Sequence, residues 1–148
     1  EAAIFFDESS KAFDLANINA QMAVDKSEVL LELLPSGLYS IFDTSHRQSK
    51  ATVLAMAAQS REYKGASALY TIIGEWSDLD EISSSEDIER WRGIAADAED
   101  FLEEAMTKLD EADGWAPGLW RRSEAIRMDI RQWRDLLAGV EIVILDPV

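Results

Sequence analysis

Cysteine is absent from the 148 residues, and histidine occurs once, at His46. Disulfides and thiolate metal sites are thereby excluded, and cysteine usage says nothing about compartment. No stretch of 18 apolar residues could span a membrane, and no basic-plus-apolar signal segment opens the chain. With no targeting segment, the cytoplasm is the default expectation. There is no glycine-rich phosphate loop and no Gly-x-Ser-x-Gly elbow. No arginine precedes His46 at the spacing that a helical RNase of the Arg-x₄-His kind needs. Positive charge is also scarce: 14 Lys and Arg stand against 29 Asp and Glu, a net charge of −15. That argues against direct contact with nucleic acid or anionic lipid, which want clustered Lys and Arg. The chain opens on Glu1 rather than Met, which points to a processed product or a piece of a longer protein.

What is present is helical periodicity. The clearest stretch is Ser83 to Gly114. Ile88, Trp91, Ala95, Ala98, Leu102, Ala105, Leu109 and Ala112 recur in alternating steps of three and four. The opposite face carries Glu89, Asp97, Asp100, Glu103, Glu104, Asp110 and Glu111. This is a helix with one buried stripe and one acidic, solvated face. Ser84 or Ser85 can cap its start, with Glu86 and Asp87 in the positive first turn. Gly114, followed by Pro117, stops it.

The other helices read less cleanly. The first follows the polar Asp7–Ser10 turn and ends at Pro35-Ser36-Gly37. Its apolar line is Phe13, Ala16, Ala20, Ala23, Ser27, Leu30 and Leu34, flanked by Val24 and Leu31. Asp43, Thr44 or Ser45 caps the second, which runs towards Trp76. Ala51 to Ala58 is rich in small residues that permit close approach. Lys64-Gly65 is expected to break or kink it, since interior glycine costs about 1 kcal/mol against alanine. The last helix starts at Pro117-Gly118, with the line Leu119, Ser123, Ile126, Ile130, Trp133, Leu137 and Val140. Two terminal runs, Ala2–Phe6 and Glu141–Leu145, have strand-like composition.

These signals predict an all-α fold over residues 1–148 as one domain. It is an antiparallel up-down four-helix bundle with short strand-like termini, its helices at about 9–34, 44–76, 84–113 and 118–138. Acidic segments alternate with neutral-to-basic ones, and in an up-down bundle this sets each acidic helix beside a less acidic neighbour.

The sequence offers little chemistry. A carboxylate di-iron site wants Glu-x-x-His pairs, whereas His46 is preceded at that spacing by Asp43 and has no second histidine. No metal or cofactor is expected, and His46 reads as exposed. Mg²⁺-dependent nucleotide pyrophosphohydrolase chemistry needs acidic pairs spaced i, i+3 that converge from several helices. Glu86/Glu89, Asp97/Asp100 and Asp110/Asp113 have the spacing but share one helix and mostly point away from its apolar line. Asp14, Asp25, Glu28, Glu32 and Glu62 are the partners available elsewhere. Trp91 and Trp133 lie on core lines. Trp115 and Trp120 bracket a corner followed by Arg121-Arg122, which reads as a cap on the bundle end or as an exposed anchor for a partner.

The expectation is a non-enzymatic, acidic protein-interaction module of the assembly-factor, adaptor or inhibitor/immunity type. It would use Asp97, Asp100, Glu103 and Glu104 on the acidic face and Trp115, Trp120, Arg121 and Arg122 at the corner. The expected partner is a protein, preferably basic, with an oligomer also open; neither nucleic acid nor membrane is expected as a direct partner. The alternatives are a nucleic-acid-mimicking inhibitor of a basic partner, a ligand-sensing helical bundle of a receptor, and the Mg²⁺ hydrolase.

Overall fold

The computed structural model describes residues 1–78, 84–116 and 120–145, without the side chain of Trp120. Four helices account for almost all of them: α1 (Ala2–Leu33), α2 (Ser36–Ser77), α3 (Ser85–Trp115) and α4 (Trp120–Leu145). The fold is the expected all-α four-helix bundle. Its strand-like termini are not there: Ala2–Phe6 belongs to α1 and Glu141–Leu145 to α4. The physical reason is cooperativity. Adding a residue to an existing helix gains a backbone hydrogen bond at once, whereas a lone strand has no partner to bond. The run at the C-terminus also keeps helical register with the core, since Ile144 is buried against Leu69, Trp91 and Ala95.

Helix boundaries follow local chemistry. Ser84 caps α3: its hydroxyl accepts from the Asp87 amide while the Asp87 carboxylate accepts from the Ser84 amide, a reciprocal capping box. Leu34, held extended ahead of Pro35, ends α1. α2 then starts at once, with Pro35 as its N-cap, so Leu38–Phe42, which falls between the expected bounds of the first two helices, forms the first turns of α2. A proline needs no amide partner at a helix start, which is why it can separate two helices so closely.

α2 is the central element. α1 and α3 run antiparallel to it on separate sides. The α1 pairing is fixed by Ser67 Oγ donating to the Ala3 carbonyl, by Asp14 with Ser60 and Lys64, and by Glu28 with Lys50. The α3 pairing is fixed by Glu75 with Arg90 and Arg61 with Glu104. α4 returns antiparallel to α3 and lies against both α3 and α2. α1 runs beside α2 alone: its backbone approaches neither α3 nor α4, although the Phe6 ring reaches Trp133 of α4 at 5.5 Å. The ion pairs between neighbouring helices join acidic segments to less acidic ones, as the charge alternation predicts.

The core is built from the predicted α3 stripe. Trp91, Ala95, Ala98, Leu102, Ala105, Leu109 and Ala112 are all buried. They meet Ala51, Ala55, Ala58, Leu69 and Ile72 of α2, and Ile126, Ile130, Leu137 and Val140 of α4. The small-residue face of α2 sets the close spacing. Gly65 does not break α2. A Cβ placed there would stand 2.9 Å from Leu102 Cδ2 and 3.4 Å from the Ala98 carbonyl oxygen, so glycine is what lets α3 seat at this depth. On α1 the burial centres on the expected flanks, Val24 and Leu31, while Phe13, Ala16, Ala20, Ser27 and Leu34 of the expected line are half-buried. Val24 and Leu31 are buried, while Ala23 and Leu30 face water.

Candidate functional site

The acidic face of α3 is exposed as predicted. Asp100, Glu103 and Glu104 line one shallow depression together with Arg61, Thr107, Lys108 and Glu111. Asp97 lies one turn away and does not line it. Glu104 is held by Arg61, whose Nε lies 2.9 Å from the carboxylate. No ion pair among the described residues engages Asp97, Asp100 or Glu103. The depression therefore carries four carboxylates against two cations, Lys108 and the Arg61 guanidinium that Glu104 holds, a net negative surface that favours a positively charged contact.

The corner residues are not at this depression. Trp115 ends α3 beside α2, where Lys50 Nζ stands 4.4 Å and Arg47 Cζ 5.5 Å from its ring centroid. Both cations face the electron-rich ring, an arrangement that fastens the end of α3 to α2. The indole is still over a third exposed, at 37%. Arg121 and Arg122 are exposed on the first turn of α4. The side chain of Trp120 lies outside the described residues.

The acidic pairs that suggested a magnesium site have other employment or point outwards. Asp110 and Asp113 both accept from Arg127 Nη2, at 2.7 and 2.8 Å, which ties α3 to α4. Burial works against the charge on Arg127, but these two carboxylates outweigh it and hold its pKa above the ordinary value. Glu62 is buried, 2% exposed, with Oε1 accepting from Trp133 Nε1 at 2.9 Å and Oε2 unpartnered. Desolvation is the main cause that lifts its pKa from 4.5 to about 7, with Asp129 adding repulsion and the Trp133 bond opposing. Among the described residues, no three His, Asp or Glu side chains stand together in a geometry that could hold an ion.

His46 is not exposed. It is buried between α1 and α2, with Nδ1 2.7 Å from Ser27 Oγ and Nε2 3.4 Å from Glu28 Oε1. Glu28 also takes the Lys50 ammonium, and that hydrogen bond is the main cause that lowers its pKa. Ser27, His46 and Glu28 share the residue types of a nucleophilic triad, but the local backbone does not suit acyl transfer. All three lie within long helices whose amides are consumed by the i→i−4 ladder, so no pair of free N–H groups faces Ser27 to hold an oxyanion. Ser27 Oγ also bonds back to the Val24 carbonyl at 2.7 Å. The cluster is a polar clasp between α1 and α2. A second clasp repeats it near the other end, where Asp14 takes Ser60 Oγ at 2.6 Å and Lys64 Nζ at 2.9 Å. Burial raises the Asp14 pKa, and these two bonds more than offset it, leaving the carboxyl below its usual range.

Sequence reasoning missed both clasps and the burial of Glu62. The usable signal was the placement of Ser27, Asp14 and Glu62 on lines that the helices turn inward, where a polar side chain needs a partner. No helix among the described residues is long and apolar enough to cross a membrane. No protein-family model, no curated protein and no solved structure matches the chain.

Proposed function

We propose that the protein is a non-enzymatic interaction module whose acidic α3 face engages a basic protein partner. The observation that supports this reading is the set of unpaired carboxylates on that face: Asp97, Asp100 and Glu103 project into water beside Glu104, with Arg61 committed to Glu104 alone. Asp14, Glu28, Glu75, Asp110 and Asp113, by contrast, are each paired with a cation on a neighbouring helix. Trp115, with Arg121 and Arg122, offers a second contact of the residue types that dominate binding hot spots.

The test uses the intact chain as bait in an extract of its source cell, beside a variant carrying Asp97→Lys, Asp100→Lys and Glu103→Lys. These positions are exposed, so the variant should keep its helix content and melting behaviour. The reading predicts a captured protein that is lost with the triple reversal, and whose association rate falls as salt rises. Capture that ignores both salt and reversal, or no capture at all, would overturn it. Competition by DNA for the same partner would favour a nucleic-acid mimic over a general adaptor.

A further inference from the structure

α1 carries two apolar lines, and α2 covers only one. Ile4, Leu15, Ile18, Met22, Val29 and Leu33 are between 53% and 76% exposed. At 100° per residue they fall within an arc of about 60° on the side of α1 away from α2. Each leaves on the order of 100 Å² in water, so the stripe exposes roughly 600 Å², at the top of what an ordinary monomer shows in its largest apolar patch. Neither α3 nor α4 approaches the α1 backbone, so among the described residues the stripe is left in water.

We infer that a second copy of this chain covers the stripe, its α1 lying antiparallel on the first about a twofold axis at Ile18. Two observations choose this occupant. The first is area: two such stripes meeting bury about 1,200 Å², the lower bound for a specific interface, before flanking Phe5 and Leu30 are counted. The second is charge symmetry. Lys11 lies within the same arc and Asp25, like Asp7, about 20° beyond its edge; Lys11 and Asp25 each lie seven residues from Ile18. An antiparallel pair therefore sets Lys11 of each copy beside Asp25 of the other. Leu15 comes within one residue of Met22 and Ile4 within one residue of Leu33, so the pattern is self-complementary to within one residue's rise, as an isologous interface requires. A parallel pair would instead stack Lys11 on Lys11 and Asp25 on Asp25. Lys11 already bonds Asp7 on its own helix, but an exposed pair of that kind is weak and readily exchanged. The acidic α3 face does not take part in the pairing, so the dimer leaves the proposed partner surface free. The two readings stand or fall separately.

The measurement is mass in solution by sedimentation and light scattering across micromolar concentrations. The wild-type chain should be a dimer that tightens as salt screens its net charge of −15. Ile18→Glu should be monomeric with unchanged circular dichroism and melting, because the side chain it replaces is solvent-facing within the monomer. Lys11→Glu and Asp25→Lys should each weaken the dimer by about tenfold, and the two together should restore it. The chain has no cysteine, so orientation can be read from Leu15→Cys and Met22→Cys made as two single variants: mild oxidation should cross-link one with the other in their mixture and neither with itself, whereas a parallel pair would cross-link each with itself. A wild-type chain that is monomeric at 200 µM overturns the inference, whether or not it associates with phosphatidylcholine vesicles. So does a dimer that survives Ile18→Glu, or one whose charge swaps fail to compensate.

Discussion

Replacing Glu62 by glutamine isolates the energetic role of one buried carboxyl. Glu62 is 2% exposed and its Oε2 has no hydrogen-bond partner. Its pKa is lifted from 4.5 to about 7, chiefly by desolvation. In the unfolded chain the carboxyl titrates near its ordinary value. Below about pH 4.5 both states carry the proton, and Glu62 imposes no electrostatic cost on folding. Between 4.5 and about 7 the unfolded chain has released its proton while the folded chain still holds it, so stability falls as pH rises. Above about 7 the loss is complete. A shift of this size corresponds to about 3 kcal/mol, a large share of the stability of an ordinary domain.

Glu62→Gln keeps an oxygen to accept from Trp133 and cannot ionise. The variant should match wild type near pH 4.5 and exceed it progressively, by about 3 kcal/mol at pH 8. Urea melts of both proteins at several pH values supply the difference. Working with that difference removes the titration of groups common to both, among them Asp14, Glu28, Glu75 and Asp87, all held below their ordinary values by hydrogen bonds in the native state. A wild-type-minus-variant difference that stays flat from pH 4.5 to 8 would refute the burial argument. A variant less stable than wild type at pH 8 would refute it more strongly, since the charged carboxylate would then be the favoured form.

Leu102→Ala or Leu109→Ala should each cost about 2–5 kcal/mol, since both side chains are fully buried, while Glu103→Ala or Glu104→Ala should stay within about 0.5 kcal/mol; urea melts in which the glutamates cost more would reverse the facing of α3. Gly65→Ala should destabilise by about 1–3 kcal/mol because its Cβ meets Leu102. Gly93→Ala, in the open on α3, should gain about 0.5–1 kcal/mol, and thermal melts that rank the two the other way would remove the close-approach account of Gly65. Ile144→Ala should cost about 2–5 kcal/mol, while Ile142→Ala, at a position 67% exposed, should cost under about 0.5 kcal/mol; equal costs would mean that the end of α4 is not helical in this register.

α3 was legible residue by residue because its two faces differ in kind. One is apolar and the other is acidic, so only one orientation is physically acceptable. α4 was legible up to Val140 for the same reason, and beyond it composition misled: Ile142-Val143-Ile144 reads as a strand, yet helix continuation buries Ile144 and needs no second strand. α2 hid its start because Leu38–Phe42 has no polar cap of its own, and hid its glycine because the reason for Gly65 is on another helix, at Leu102. Long-range partners of this kind leave no local trace. The same holds for His46, whose burial depends on Ser27 and Glu28 arriving from α1.

α1 was the hardest to orient, and the cause bears on how the whole chain is used. Its apolar residues occupy two lines, Val24 and Leu31 on one, Leu15, Ile18 and Met22 on the other. Periodicity alone ranks them equally, and the second is the larger. What turns the smaller line inward is polar chemistry. Ser10, Asp14, Ser27 and Glu28 lie on the α2-facing side, and each bonds within or across the helix pair: Ser10 donates to the Asp7 carbonyl and its own carbonyl accepts from Ser60, Asp14 takes Ser60 and Lys64, Ser27 meets His46 and Glu28 meets Lys50. Rotating α1 to bury Leu15, Ile18 and Met22 would turn Asp14, Ser27 and Glu28 into water and leave Ser60 and His46 of α2 buried without their partners, each at a desolvation cost of about 1–3 kcal/mol. The bundle therefore satisfies its polar clasps and leaves an apolar stripe in water. A helix so oriented has its specificity on one side and leaves its larger apolar line, among the described residues, in water on the other.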